Sequence, residues 1–381
     1  MQQQHIVILG AGMGGETLAN KLSKQVGNKG TVTVVEKRST FSFPPAYNWL
    51  VFGWREPSEI RRTSAIGKRK NVKFVNGEAQ KIDLQKHLVK TASEELFYDK
   101  LVIALGAELV PGTVPGVDKY SHVAYDFDEA LKLREKVKNF EGGRVGIAIC
   151  SLPIKCPPAP YELALLLEDH FQRAKKKAEI DFFTPEPHPL PSAGAVIGRQ
   201  VERILADRGI KYHPKTKLTK VEENNAVFDD KTSFQFDILI TVPPHQAPRI
   251  VRDAGLTDSS GWIPVNPYTL ATKHENVFAL GDVTSIETPH GHAPFLPKAG
   301  VFARGQADVL ANNIAVEVTG KGERKQWDGA GECYMDVNKS ESAFLRGTFL
   351  SNPPRLEFHP PRRQWHNAKV NFEKRWMSKQ F

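Results

Sequence analysis

The residues best suited to chemistry in this 381-residue chain are its cysteines, and two of the three lie in one stretch. That stretch reads Arg144-Val-Gly-Ile-Ala-Ile-Cys150-Ser-Leu-Pro-Ile-Lys-Cys156-Pro-Pro-Ala-Pro-Tyr-Glu162, followed by the apolar run Leu163 to Leu167. A thiolate is a nucleophile, and two thiols that can meet exchange an electron pair. Cys156 stands in a proline-stiffened loop ahead of a predicted helix, where the positive helix end favours a thiolate. Cys150 ends a β-branched strand and reads as a small packing residue. Cys333, in Gly331-Glu-Cys333-Tyr-Met-Asp336, belongs to a different element, and Cys156 with Cys333 are the candidate redox pair. Glu162 is a candidate proton shuttle, although the first turn of a helix favours an acid in any case.

The elements that position these residues are legible as strands and helices. Ile6–Leu9 is an apolar strand, followed by Gly10-Ala-Gly12-Met-Gly-Gly15, a helix from about Glu16 to Lys24, and a strand Thr31–Val35 that ends in Glu36 and Lys37. This is a dinucleotide fingerprint. Gly10 makes the turn, Gly12 admits a pyrophosphate, Gly15 lets helix and strand approach, and Glu36 accepts from a ribose. The backbone at Ala79 can reach an adenine edge, and the strand from Tyr98 closes on Gly106. A later strand, Glu275 to Leu280, carries Gly281 and Asp282 at its carboxyl end. Phe295-Leu-Pro297-Lys298-Ala-Gly300 then opens a helix running to about Val318.

A second nucleotide-type unit follows the same plan, with strands at Val145–Ile149, Glu179–Thr184 and Phe236–Val242 and a helix from about Ala195 to Gly209. Where it should carry a glycine loop it has Cys150 to Pro160, with two cysteines, four prolines and no glycine. Prolines remove amide donors that would hold a pyrophosphate.

Together these motifs resemble the flavoproteins of the glutathione-reductase type, which have two dinucleotide domains. The resemblance implies an α/β fold of two Rossmann-like domains, FAD at Gly281-Asp282 and Lys298, and a helix after Pro297 aimed at the flavin pyrimidine. Leu105 stands where that family usually has Thr.

Closer still, the chain resembles the sulfide:quinone oxidoreductases and the related flavocytochrome c sulfide dehydrogenases. The matching residues are Cys156-Pro-Pro-Ala-Pro-Tyr-Glu162, Phe43-Pro-Pro-Ala with Gly53-Trp-Arg55, Pro297-Lys298, and Phe372-Glu-Lys-Arg-Trp376. The resemblance implies that Cys156 and Cys333 flank one flavin face, that hydrosulfide attacks their disulfide or its sulfur-bridged form, and that the electrons pass to a quinone. Cys333 is assigned the thiolate released beside the flavin. Some of these enzymes use a third cysteine before the pair, and Gly106 to Arg144 contains none. No cysteine lies near Ser42 to attach a flavin, so the FAD is expected to be non-covalent.

Composition bounds the rest. A chain that is 40% apolar and 25% charged is globular, and no stretch reaches the roughly 18 to 20 apolar residues a membrane span requires. The amino-terminal residues lack a signal-peptide pattern, which predicts a cytoplasmic chain. A net charge of +9 suits an anionic surface, while no nucleic-acid motif is present. A homo-oligomer is compatible with all of this. His290-Gly-His292 has no third ligand in reach, so a loop role is expected and no metal site.

The chain divides into 1–117 and 245–320 as the two parts of an FAD domain, 118–244 as the second Rossmann-like domain, and 321–381 as a segment carrying Cys333 and a terminal helix. On that helix Trp365, Ala368, Phe372 and Trp376 share a face, with Lys369 at its flank. Such a stripe fits core packing or a membrane interface. The quinone reading selects the membrane, with the aromatic residues in the acyl boundary and Arg362, Arg363, Lys369, Lys374 and Arg375 on headgroups. The rival readings are a type II NADH:quinone oxidoreductase, which needs a glycine loop where Cys150 to Pro160 stands, and a non-catalytic flavin redox sensor.

Overall fold

The structure is a computed structural model that describes residues 3–289 and 293–380, with only the backbone described at 379 and 380. The His290-Gly-His292 stretch lies outside the described residues. In chain order the elements that matter here begin with β1 (Gln4–Leu9), α1 (Met13–Gln25), β2 (Gly30–Glu36), α2 (Tyr47–Val51), β3 (Val72–Asn76) and β4 (Lys100–Ile103). They continue with β5 (His122–Val123), β6 (Gly143–Ile149), α3 (Ala159–Arg173), β7 (Ala178–Phe183), α4 (Ala195–Asp207), β8 (Lys211–His213) and β9 (Ile238–Val242). Then come β10 (Val277–Ala279), α5 (Gly300–Thr319), β11 (Ala330–Asn338), β12 (Glu341–Thr348), β13 (Arg355–Arg362) and α6 (Arg363–Gln380).

Two parallel sheets dominate. One has the order β10-β4-β1-β2-β3, and the other β5-β9-β6-β7-β8. Each sheet is covered on both faces, which is why β1, β4, β6 and β9 read as continuous apolar runs rather than alternating ones. Ile6, Val7, Ile8 and Leu9 are all fully buried, as are Val145, Ile147, Ala148 and Ile149. This is the α/β class with two Rossmann-like units expected from the sequence. Helix α3 starts at Ala159, earlier than the expected Glu162, because Pro160 is tolerated in a first helical turn.

The third sheet, β11-β12-β13, is antiparallel and carries Cys333 on β11. Gly331 lets β11 come close to α5, since a Cβ there would stand 2.2 Å from the Phe302 ring. Helix α6 packs on β12 and β11 and closes this layer over α2 and α3.

That packing corrects the membrane assignment of the terminal helix. Trp376 is buried and lies 6.2 Å from the Phe41 ring and 6.4 Å from that of Phe43, and Phe372 lies 5.7 Å from Phe43. Trp365 stacks on Phe344 at 4.6 Å. Lys369 is 5% exposed and bound to two carboxylates, so it cannot meet a headgroup. The aromatic stripe is a core face. Arg362, Arg363, Lys374 and Arg375 remain exposed. Among the described residues no helix is long and apolar enough to cross a membrane.

Candidate active site

The glycine loop between β1 and α1 is built for close approach. Gly10 has φ +97°, and a Cβ on it would lie 2.4 Å from the carbonyl oxygen of Ala104. A Cβ on Gly15 would stand 1.9 Å from that of Gly10, so only glycine lets the helix meet the loop here. At Gly12 a Cβ would meet nothing within 4 Å, which leaves the loop open on the side where a pyrophosphate would lie. Glu36 accepts from the Ala11 N–H at 2.8 Å and the Arg38 N–H at 3.0 Å, so its carboxylate braces the loop. Lys37 reaches outward to Glu78 at 3.5 Å, and both side chains are exposed. Ala79 opens the strand Ala79–Asp83 with its side chain buried, and Gly106 turns at φ +70°.

Across the sheet, Gly281, Asp282, Thr284, Pro297, Lys298 and Gln306 line a cleft of about 230 Å³. The Gly281 N–H donates to Gln306 Oε1 at 2.7 Å. Lys298 Nζ donates to the carbonyls of Asp282 at 2.7 Å and Thr284 at 3.0 Å, and sits 3.4 Å from the centre of the Trp262 ring. Burial pulls its ammonium down to about 7, against the Asp282 charge. Asp282 Oδ1 is buried with no hydrogen-bond partner among the described residues. A buried acceptor left in this way fits a hydroxyl-bearing ligand, and with the open glycine loop it makes the set suit a flavin dinucleotide.

The proline loop is fastened through its backbone to a residue that lines this cleft. Lys155 pairs with Lys298 in a single parallel bridge, and the Cys156 N–H donates to the Lys298 carbonyl at 2.6 Å. Tyr125 donates its hydroxyl to the Cys156 carbonyl at 3.2 Å. Cys156 adopts φ +50°, a left-handed conformation that costs a side-chain-bearing residue and that the flanking contacts hold in place. Cys150 is fully buried at the end of β6, and burial alone pushes its thiol up to about 12.

Cys333 has a free thiol that lines an apolar cleft of about 440 Å³ together with Pro157, Pro158, Leu190, Ala193 and Phe349. Behind the two cysteines lies a buried ionic cluster that sequence reading missed. Lys369 Nζ donates to Glu162 Oε2 at 2.7 Å and to Asp336 Oδ2 at 2.8 Å. Glu162 also accepts from the Asp336 N–H at 2.9 Å and from Asn48 at 3.0 Å. Asp336 accepts from Trp49 at 2.6 Å and from Ser342, and His366 stands 3.0 Å away. A signal existed: Asp336 follows Cys333 by three residues, and Lys369 lies on the stripe of the terminal helix.

This cluster corrects the expectation of a thiolate favoured at a helix end. Burial drives the Cys156 thiol well above its ordinary value, with Cys333 and Glu162 adding to the rise. Burial likewise pushes Cys333 up to about 12, Glu162 adding and Lys369 opposing. Desolvation of the thiols outweighs the helix-end field. Glu162 is itself raised by burial, opposed by Lys369 and helped by Asp336. Burial works against charge on Asp336 too, but Lys369 and the hydrogen bonds to it keep that carboxyl below the usual range.

In the second Rossmann-like unit the acid that follows the second strand is not available to a ligand. Just past β7, Glu186 is buried, bonded to the Tyr161 hydroxyl and to Thr184. Tyr161 in turn stacks on Phe182 at 4.5 Å.

With this geometry in view, the profile of the pyridine nucleotide-disulphide oxidoreductase family matches residues 4–301, and the chain belongs to that family. Within it, the chain is 26% identical to the sulfide-quinone reductase of Aquifex aeolicus, over 99% of this chain and 91% of that protein. It is 25% identical to the mitochondrial sulfide:quinone oxidoreductase of Mus musculus, over 93% of this chain and 80% of that one. The solved structure of the Aquifex aeolicus sulfide:quinone oxidoreductase superposes with a TM-score of 0.88 at 25% identity, covering 99% of this chain and 91% of that chain. A type II NADH:quinone oxidoreductase of Staphylococcus haemolyticus is 21% identical over 90% of this chain and 93% of that protein.

Proposed function

We propose that this chain is an FAD-dependent sulfide:quinone oxidoreductase that oxidises hydrosulfide to zero-valent sulfur and reduces a quinone. The observation that carries this reading is the replacement of a nucleotide-binding loop by a proline-braced thiol, hydrogen-bonded through its backbone to the cofactor cleft. FAD is held non-covalently by Gly10, Gly12, Gly15, Glu36, Lys37, Ala79, Gly106, Gly281, Asp282 and Lys298. Bound FAD supplies the two-electron acceptor between sulfide and quinone.

Cys156 and Cys333 are free thiols in this structure; in the oxidised enzyme, where the pair is joined as a disulfide, hydrosulfide attacks Cys156. The new S–S bond leaves a persulfide on Cys156, and the electron pair of the broken bond leaves on Cys333 as a thiolate. Glu162 accepts the proton released from the sulfur. Joining the Cys156 persulfide sulfur to the Cys333 sulfur closes a sulfur-bridged pair and releases two electrons, which FAD, when bound, would take up for the quinone; in sum, hydrosulfide, one proton and a quinone give zero-valent sulfur and a quinol. Uncharged sulfur chains leave by the apolar cleft beside Cys333, where charged species are disfavoured.

The peripheral membrane contact that a lipid-dissolved quinone requires is assigned to the exposed Arg362, Arg363, Lys374 and Arg375, and the membrane face is taken to be the cytoplasmic one. The division at 117, 244 and 320 is our reading of where the FAD domain, the second domain and the sulfur-site segment meet. The rival type II NADH:quinone activity is disfavoured by the inward Glu186 and the glycine-free loop.

The test is anaerobic mixing with sulfide and, separately, with NADH, while following flavin absorbance. Sulfide should bleach the flavin rapidly and NADH should not. Bleaching by NADH alone would establish the rival dehydrogenase, and bleaching by neither would overturn both enzyme readings.

A further inference from the structure

The two cysteines come from elements far apart in the chain, and the charge that ties those elements together comes from a third. Glu162 belongs to α3, directly after the Cys156 loop. Asp336 belongs to β11, three residues past Cys333. Lys369 of α6 bonds both carboxylates with one ammonium group. We propose that Lys369 is a positioning residue of the sulfur site, clamping the Cys156 helix against the Cys333 strand and lending its positive charge to both thiols.

The packing around Lys369 supports a role beyond filling space. It is buried, and its ammonium lies 4.8 Å from the centre of the Trp49 ring, whose N–H is itself committed to Asp336. The groups facing it are Glu162 from α3, Asp336 from β11, and His366 on its own helix by way of Asp336. Glu373, one turn further along α6, is taken up by Arg55, which lies over the other side of the cluster 4.6 Å from the Trp49 ring. Arg55 therefore does not neutralise Glu162 or Asp336 directly, and among the described residues Lys369 is the cation in hydrogen-bond contact with both. A buried ion pair of this kind is costly to assemble, and hydrophobic residues could fill the volume at lower cost. Its positive charge opposes the rise that burial and the Glu162 carboxylate impose on both thiols, which a hydrophobic filling of the same volume would not do.

This rests on the sulfide reading for its substrate, but the electrostatic claim is measured without one. In reduced holoenzyme, the rate of Cys333 alkylation by iodoacetamide is followed against pH by peptide mass spectrometry. The cleft gives the small reagent access. K369M should slow alkylation roughly tenfold at any fixed pH below the thiol's own range, the signature of a thiol raised by about one unit. K369R should stay near the wild-type rate, and E162Q, which removes a negative charge, should raise it. The acid limb of the sulfide-bleaching profile should shift alkaline in K369M by a similar amount, with FAD content unchanged.

If K369M fails to fold, K369Q keeps a donor for both carboxylates while removing the charge, and carries the same expectation. An unchanged alkylation rate in the folded neutral variant across the accessible pH range, or an equal loss in K369R, which keeps the charge, overturns the proposal. If wild-type flavin is not bleached by sulfide at all, the sulfide reading fails, and the alkylation rate still decides the role of Lys369.

Discussion

The backbone N–H of Cys156 donates to the carbonyl of Lys298 at 2.6 Å, which fastens the thiol loop to the segment that opens α5. Because the link is main chain to main chain, the sulfur atom can be replaced without loosening it. C156S and C333S should therefore each abolish sulfide-dependent bleaching while keeping a full complement of FAD. C150S behaves differently. A hydroxyl in that fully buried strand end should cost about 1–3 kcal/mol in urea unfolding and leave turnover largely intact. An inactive but stable C150S beside an active C156S would reassign the pair.

FAD should leave the protein on acid or heat denaturation and appear in the supernatant. Phe41-Ser42-Phe43 supplies no thiol, and the three cysteines lie at Cys150, Cys156 and Cys333. Flavin fluorescence retained in the washed precipitate is the result that would reverse this expectation.

Glu186 gives the protein a pH-dependent component of stability. Burial raises its carboxyl from 4.5 to about 7, with the Tyr161 and Thr184 hydrogen bonds opposing. A raised acid favours the protonated folded state, so its contribution is complete below about pH 4.5 and is lost as pH rises through 7. The amount at stake is about 3 kcal/mol. Urea midpoints at pH 5 and pH 8 should differ more in the wild type than in E186Q, which has no charge to bury. Equal differences in the two proteins would show that Glu186 does not titrate in this window.

Deleting the chain from Trp365 should do more than weaken membrane contact. It removes Lys369 from two buried carboxylates and Trp376 from its aromatic neighbours, losses of about 3 kcal/mol or more each. The truncated protein should melt far lower and lose flavin. Neutralising Arg362, Arg363, Lys374 and Arg375 with glutamine should instead leave melting unchanged and reduce binding to anionic vesicles, by about 1 kcal/mol per residue at low salt. Vesicle binding that ignores these charges would move the contact surface elsewhere.

The fold was readable because its determinants are local. The glycine loop, the β-branched strands and the acid ending β2 each announce themselves within a few residues. The thiol loop was readable for the same reason. What sequence could not supply was the meeting of Glu162, Asp336 and Lys369, which are joined only by the tertiary packing of three elements. Lys369 misled most directly: a lysine beside an aromatic stripe reads as a surface charge, and only burial reveals it as the counter-ion of two acids. The thiol ionisation was misjudged for a related reason, since helix-end position is visible in sequence and desolvation is not.

The inward-turned Glu186 bears on how readily such a protein could change its electron donor. Regaining a pyridine nucleotide would take more than restoring glycines between Cys150 and Pro160. The acid after β7 would have to be freed from Tyr161 and Thr184, and Tyr161 from its stack on Phe182, while Cys156 surrendered its place against Lys298. These changes fall on separate elements, so a new donor site would need several of them together. The donor preference is thus written into packing on several elements at once, and not into the loop alone.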